Sequence, residues 1–127
     1  TASTLLCLRC NERFAAQNFS FEEMPPKCPK CGGRIKPDFV FYGEGIPEKA
    51  YRMSMQEATE SDAVIVIGTT GEVMPACIVP QIARQNGAKI IEINISRSAL
   101  TYGTTTHFLQ GKAVEVMSEL LKEVKAL

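Results

Sequence analysis

Four of the five cysteines constrain this chain more than any other feature. Cys7 and Cys10 form one C-x2-C pair, and after seventeen further residues Cys28 and Cys31 form a second pair. Two such pairs on tight turns can direct four thiolates toward one point, which is the ligand set that zinc prefers. We therefore predict a zinc site, while the spacing leaves disulfides and an iron–sulfur cluster open as alternatives. Because four sulfur ligands leave no open position for water or substrate, we expect this metal to be structural.

Composition and charge narrow the class of protein. The chain has 127 residues, of which 45% are hydrophobic and 22% are charged, as in a globular domain. Lysine plus arginine and aspartate plus glutamate each number 14, so we expect no nucleic acid partner, because phosphate binding usually requires a basic excess. The longest apolar run, Ala63–Ile67, is too short to cross a membrane. We expect no signal peptide and a cytoplasmic location. The first residue is Thr1, which suggests a processed or engineered product or a piece of something longer.

Two regions with different patterns follow one another. Residues 1–36 hold the cysteine pairs and Phe14, Phe19 and Phe21, so we expect a zinc-binding module whose aromatic residues pack as the metal folds it. A surface on which nucleic acid bases stack is the alternative interpretation. Residues 37–127 alternate between strand and helix patterns.

The second region is predicted element by element. Strands are expected at Phe39–Tyr42, Ala63–Ile67, Lys89–Ile93 and Thr104–Leu109, and helices from Pro47 to Glu60, from Pro75 to Asn86 and from Gly111 to Ala126. The apolar run Ala63–Ile67 is typical of a parallel strand that is covered on both faces. Gly87 suits a helix C-cap. The last helix is amphipathic and is predicted to pack through Val114, Met117, Leu121 and Val124.

This order predicts an α/β fold, a partial doubly wound (Rossmann-like) parallel sheet with a small zinc-ribbon module that has four cysteine ligands. Ligands of such sheets bind beyond the carboxyl ends of the strands, which here means Gly68–Val73 and Asn94–Ser96. A polar loop that leads into a helix can bind an anion. The loop has neither the G-x-G-x-x-G pattern nor a Walker motif, so a nucleotide site is only one interpretation of it.

Taken together in chain order, these segments resemble the sirtuin family of NAD-dependent protein deacylases. The resemblance runs over nearly the whole chain, through the two cysteine pairs, Lys36–Glu44, Asp62–Thr70, Val73–Ala76 and Glu92–Asn94. Lys36, Tyr42 and Thr70 stand where the family usually has arginine, phenylalanine and serine, and each change preserves charge, ring or hydroxyl.

The resemblance implies a site for NAD as co-substrate. Gly68, Thr69 and Thr70 would lie against NAD, with hydroxyls and backbone amides near ribose and phosphate. Asn94 would hydrogen-bond the adenine-side ribose.

The resemblance also implies that an acyl-lysine peptide is held as an added strand. The two segments that would hold it contain Val40, Phe41, Gly43 and Glu44 in one and Gly71, Glu72 and Val73 in the other. Val40 and Phe41 would help to line an apolar tunnel for the lysine stem.

The chain departs from the family in what it lacks. Sirtuins have, before their first zinc cysteine, a glycine-rich NAD loop, a Gln-Asn-Ile-Asp segment and a catalytic histidine, and none of these is in this sequence. The single histidine, His107, is expected at the surface or an edge. Cys77 is expected to be a small buried side chain, and Glu44 to serve a turn or a substrate backbone. We assign no catalytic residue.

The sequence therefore predicts the carboxyl-terminal portion of an NAD-dependent protein lysine deacylase, inactive alone. The complete enzyme would transfer an acyl group from lysine to ADP-ribose and release nicotinamide. The alternative is a non-catalytic, zinc-stapled module that binds a peptide or a partner chain. An uncovered apolar edge further predicts self-association or pairing with a missing amino-terminal half. The residues that select the acyl group would lie mostly in that half.

Overall fold

The computed structural model describes residues 3–21 and 24–126. The chain divides into two units, Thr1–Ile46 and Pro47–Leu127. None of the helices in the described part has the length and the apolar character of a membrane-spanning segment.

The first unit is a small antiparallel sheet around the cysteine pairs. Its strands are β1 (Thr4–Cys7), β2 (Arg13–Ala15) and β3 (Ile35–Pro37), in the order β2-β1-β3, and a 3-10 turn covers Ala16–Asn18. Its core consists of Leu5, Cys7, Cys28 and Ile35.

The aromatic residues of the first unit pack only in part as predicted. Phe14 and Phe19 pack against the core, with their ring centroids 5.2 Å apart in an edge arrangement. Phe21 is exposed, so its predicted packing role is wrong.

The predicted strand Phe39–Tyr42 is wrong, because the backbone after Pro37 forms bends and turns. The Phe39 N–H donates to the carbonyl of Pro37, and the Phe41 N–H donates to the Glu44 carboxylate. These local bonds use backbone groups that a strand ladder would need.

The second unit is a parallel sheet with helices. It contains α1 (Glu48–Glu60), β4 (Ala63–Ile67), α2 (Ile78–Gln85), β5 (Lys89–Asn94), β6 (His107–Gln110) and α3 (Ala113–Lys125). The strand order is β4-β5-β6 and both pairings are parallel, with Val64 opposite Ile90 and Ile91 opposite His107. The predicted α/β class and parallel sheet are confirmed.

Two boundaries differ from the prediction. Helix α2 begins at Ile78, because the preceding residues bond three positions apart, Ile78 N–H to Pro75 and Val79 N–H to Ala76, as in a 3-10 turn. Strand β6 begins at His107, because the N–H groups of Thr104 and Thr105 both close a turn on the Leu100 carbonyl.

The predicted cap at Gly87 is confirmed. Its φ is +97°, the Gly87 N–H donates to Arg84, and the Ala88 N–H donates to Ala83. This pair of bonds is the Schellman motif.

One face of β4 is covered and the other is not. Val64 and Val66 pack against a cluster of Ala58, Ala83, Ala88 and Ile90, which joins α1 and α2 to the sheet. On the opposite face Ile65 is 45% exposed and Ile67 is 44% exposed. We expected β4 to be covered on both faces, and for the described residues this expectation is wrong. Helix α3 packs against β5 and leaves this face of β4 partly exposed.

The packing face of α3 is also corrected. Val114, Leu121 and Val124 are exposed, whereas Val116, Met117 and Leu120 are half-buried. The sequence offers two adjacent apolar stripes, and periodicity alone does not decide which of them meets the sheet.

Candidate functional site

The four paired cysteines converge on one point. The Sγ atoms of Cys7, Cys10, Cys28 and Cys31 all lie within 4.8 Å of one another. The Cys7–Cys31 separation is 3.5 Å and the Cys10–Cys28 separation is 3.7 Å. Tetrahedral zinc with bonds of about 2.3 Å requires sulfurs about 3.8 Å apart, so the cluster fits this ion.

Two loops of the same construction present these sulfurs. The Asn11 N–H donates to the Cys7 carbonyl at 3.0 Å, and the Gly32 N–H donates to the Cys28 carbonyl at 2.8 Å. Both donors have positive φ, 58° at Asn11 and 70° at Gly32. This left-handed turn is tolerated by asparagine and glycine, which explains the residue types four positions after the first cysteine of each pair.

The thiols of the cluster differ in acidity. Burial raises the pKa of Cys7, but the N–H groups of Cys10 and Arg9 outweigh it and lower the pKa from 9.0 to about 6. The Glu12 N–H lowers the pKa of Cys10, whereas the thiols of Cys31, Cys7 and Cys28 raise it, with a net value of about 12. Four thiolates at this spacing therefore need a cation between them.

A second group of predicted residues meets at the carboxyl ends of β4 and β5. Gly68, Thr69, Thr70 and Asn94 line one cavity of about 400 Å³. The Asn94 Nδ2 donates to the Thr69 carbonyl at 2.8 Å, and the Gly68 N–H donates to the Ile93 carbonyl at 3.0 Å. These bonds fix the loop after β4 to the end of β5.

The opposite wall of this cavity extends past Ser96, the last residue that the sequence analysis placed near the ligand. It consists of Ile95, Ser96, Arg97, Ser98 and Ala99, and the Ala99 N–H donates to the Thr70 carbonyl at 3.0 Å. Composition could have indicated this wall, because residues 95–106 contain seven serine, threonine and tyrosine hydroxyls and no acidic residue.

A buried carboxylate supports that wall from below. Glu92 is fully buried, and its Oε2 accepts hydrogen bonds from Thr101 at 2.8 Å and Thr105 at 2.6 Å. Burial raises the pKa of Glu92. Hydrogen bonds with Ser98, Thr105, Thr101 and Asn94 lower the pKa by more than burial raises it, so the net shift is downward. The ionised side chain holds the loop from 98 to 105 against the sheet.

The segment from Val40 to Glu44 lies in the first unit as a preorganised loop. The Glu44 Oε2 accepts bonds at 3.0 Å from both the Phe41 N–H and Lys36 Nζ. The Phe41 N–H and then Lys36 lower the pKa of Glu44, which argues against a general acid. Val40 and Phe41 remain exposed.

The segment from Gly71 to Val73 lies in the second unit and divides between two cavities. Glu72 lines the cavity of Asn94, whereas Gly71 and Val73 line a groove of about 390 Å³ along β4. The Gly71 N–H donates to the Thr69 hydroxyl at 3.1 Å.

The remaining candidates stand apart from the cavity of Asn94. Cys77 is half-buried, with its Sγ 3.1 Å from the Met74 Sδ, so full burial is not observed. His107 is exposed beside the Thr106 hydroxyl at 2.9 Å, as predicted for an edge position.

Comparison with known proteins agrees with this geometry. The chain is 42% identical over 119 residues to NAD-dependent protein deacylase 2 of Pyrobaculum aerophilum, covering 94% of this chain and 47% of that protein. It is 42% identical over 125 residues to an NAD-dependent protein deacylase of Thermococcus kodakarensis, covering 94% of this chain and 48% of that protein. The chain thus spans about half the length of the curated relatives it matches.

Solved structures show the same fold. A Sir2 homologue in complex with NAD superposes with a TM-score of 0.89 at 36% identity, covering 99% of this chain and 49% of that one. A family model described as the Sir2 family matches residues 1–75, which is more than half of the chain. This chain belongs to the Sir2 family.

Proposed function

We propose that this chain supplies the zinc unit and the second half of the NAD-binding domain of an NAD-dependent protein lysine deacylase. The observation that carries the proposal is the cavity where Gly68, Thr69, Thr70 and Asn94 meet. A loop of small and hydroxyl residues after a parallel strand suits a nucleotide, because its amides and hydroxyls can bind ribose and phosphate. The relatives named as NAD-dependent deacylases support this assignment.

The zinc unit has a structural role in this proposal. Cys7, Cys10, Cys28 and Cys31 would hold one zinc ion, which would stabilise a sheet with few other buried residues. Zinc ligation requires the cysteines to stay reduced, and a reducing compartment such as the cytoplasm would keep them so.

The acyl-lysine peptide would be bound by the two segments that the family resemblance indicates. Val40, Phe41, Gly43 and Glu44 belong to a loop that its own side chains hold in place, so binding would order little further backbone. Gly71, Glu72 and Val73 would supply the second segment.

Catalysis would require the family's glycine-rich loop and catalytic histidine, which this sequence does not contain. We expect the purified chain alone to release no nicotinamide from NAD and an acetyl-lysine peptide. Addition of an amino-terminal half from a matching full-length protein should restore turnover. Measurable turnover by the chain alone would refute this division of roles.

Titration of the 15N-labelled chain with ADP-ribose tests the nucleotide site. Shifts should concentrate at Thr69, Thr70 and Asn94, and Asn94→Ala should weaken binding by about tenfold, the value of one or two lost bonds. Asn86→Ala is the matched control, because Asn86 also donates its amide to a backbone carbonyl, at 2.9 Å, but lies outside the cavity. Equal loss in both variants, or no shifts, would contradict the proposal.

Partner binding is the second candidate function. The exposed Ile65 and Ile67 and the groove along β4 favour it, because a contiguous apolar surface usually marks an interface. A chain that binds a partner through β4 but shows no ADP-ribose shifts would favour this candidate.

A further inference from the structure

Glu92 is the only fully buried charged side chain in the described part of the chain. It stands two positions before Asn94 on β5, so both side chains extend from the same face of the sheet. The side chains of Asn94 and Ser98, which both line the cavity of Asn94, lie close enough to Glu92 to lower the pKa of its carboxyl. Because a buried charge is costly unless hydrogen bonds satisfy it, the groups that bond to Glu92 are held in place.

The Thr101 hydroxyl connects this carboxylate to the wall of the cavity. Its Oγ1 donates to the Glu92 Oε2 at 2.8 Å and accepts the Ser98 N–H at 2.9 Å. A hydroxyl has one hydrogen, so the bond to Glu92 fixes the direction of that hydrogen and leaves the oxygen lone pairs for Ser98. The Thr105 hydroxyl donates to the same Oε2 at 2.6 Å and holds the far end of the loop. Bonds of this kind to an ionised oxygen are stronger than neutral ones.

Both sides of the cavity are connected to residues that contact Glu92. The wall that follows β5 meets the loop after β4 where the Ala99 N–H donates to the Thr70 carbonyl at 3.0 Å. Asn94 holds the same loop through its bond to the Thr69 carbonyl at 2.8 Å. A displacement of the buried carboxylate would therefore reach both the loop and the wall.

We propose that Glu92 is a positioning residue for the nucleotide ligand and acts through the Thr101 hydroxyl on the wall at Ser98. This inference rests on the NAD-type site proposed above. Glu92 is not among the residues that line the cavity, and its charge orients groups that do line it. The hydroxyl of Thr101, and not its methyl group, carries the effect.

Two substitutions of Thr101 separate positioning from packing. Thr101→Val keeps the shape of the side chain and removes the hydroxyl, whereas Thr101→Ser keeps the hydroxyl and removes the methyl group. Calorimetry on the zinc-loaded chain should show ADP-ribose binding about tenfold weaker in Thr101→Val and within about twofold of the unaltered chain in Thr101→Ser. A role in packing alone predicts the opposite order.

Glu92→Gln tests the carboxylate itself. It keeps the size of the side chain and removes the charge that strengthens the bonds from Thr101 and Thr105, so ADP-ribose should again bind about tenfold more weakly. In the 15N-labelled chain without ligand, the Ser98 amide signal should shift in both Glu92→Gln and Thr101→Val. Glu119→Gln is the matched control, because Glu119 also accepts a short bond, at 2.7 Å from the Lys122 Nζ, but lies outside the cavity. Its affinity for ADP-ribose should equal that of the unaltered chain.

The outcomes separate this inference from the proposed function. If the unaltered chain and Thr101→Val bind ADP-ribose equally well, this inference is refuted and the NAD-type site stands. A loss in Thr101→Ser as large as that in Thr101→Val also refutes it, because packing would then explain both. If Glu92→Gln does not fold, the two Thr101 variants decide alone. If the unaltered chain binds no ADP-ribose, both proposals are refuted.

Discussion

Replacing Gly71 by alanine tests how tightly the loop after β4 is held. Gly71 has a φ of +72°, and a Cβ there would lie 2.6 Å from the Leu100 Cγ and 3.3 Å from the Leu100 backbone nitrogen. Leu100 is 2% exposed, and although its side chain lines the same groove as Gly71, its backbone nitrogen is also close, so a side-chain shift relieves only part of the overlap. The substitution therefore combines backbone strain with overpacking.

The two costs can be separated by a matched variant. The left-handed conformation costs a non-glycine residue about 1–2 kcal/mol, and overpacking of a filled site costs about 1–3 kcal/mol. Gly87→Ala carries only the first cost, because Gly87 has a φ of +97° with no atom within 4 Å of an added Cβ. We expect Gly71→Ala to lower the free energy of unfolding by about 2–5 kcal/mol and Gly87→Ala by about 1–2 kcal/mol.

Urea unfolding of both zinc-loaded variants measures the difference. The midpoints should fall unequally while the slopes stay equal, which marks a change in stability alone. Gly71→Ala should also weaken ADP-ribose binding, because the Gly71 N–H contacts the Thr69 hydroxyl. Equal losses of stability in the two variants would refute the contact with Leu100 as the source of the excess.

Three other predictions concern metal, acid and association. Cys28→Ser should abolish binding of about one zinc per chain and unfold the sheet of β1 to β3, measured by elemental analysis and circular dichroism; a folded, metal-free variant would contradict this. The lowered pKa of Glu92 stabilises the fold fully above its unfolded value, near 4.5, and the contribution is lost as pH falls through the folded value. Urea midpoints measured downward from pH 4.5 should therefore fall less steeply in Glu92→Gln, and parallel curves would argue otherwise. The exposed Ile65 and Ile67 should cause self-association that Ile65→Lys reduces, as read by light scattering; a concentration-independent monomer of the unaltered chain would exclude it.

Spacing and strand pattern were sufficient for the architecture. The interval between the cysteine pairs predicted a cluster whose sulfurs do converge, and the apolar run Ala63–Ile67 predicted a strand that is parallel. The cysteine spacing and the apolar run are short local patterns, and each is compatible with only a few structures.

Packing was less predictable, because it depends on what else is present. The run Phe39–Tyr42 has strand-like residues, but Lys36 and Glu44 bond to its backbone and close a loop instead. Ile65 lies in an apolar run that is typical of a buried strand, yet its side chain is 45% exposed. An apolar sequence pattern indicates which side chains can be buried, but it does not show whether another element covers them.

The wall formed by Arg97 and Ser98 was missed for a different reason. It belongs to an irregular loop, and its position depends on hydrogen bonds from Thr101 and Thr105 to Glu92, across nine and thirteen positions of sequence. No periodicity marks such bonds.

The small core of the first unit has a consequence for how its sequence can change over generations. Two of its four buried core residues, Cys7 and Cys28, belong to the metal cluster, and among described residues between 11 and 27 only Pro26 is buried. Metal binding can stabilise a fold that has few buried apolar side chains. Residues that do not pack in such a core need not fit a fixed volume. The part of that stretch between the packed Phe19 and the buried Pro26 is therefore the place where this protein can vary its length and surface chemistry and still inherit the same fold.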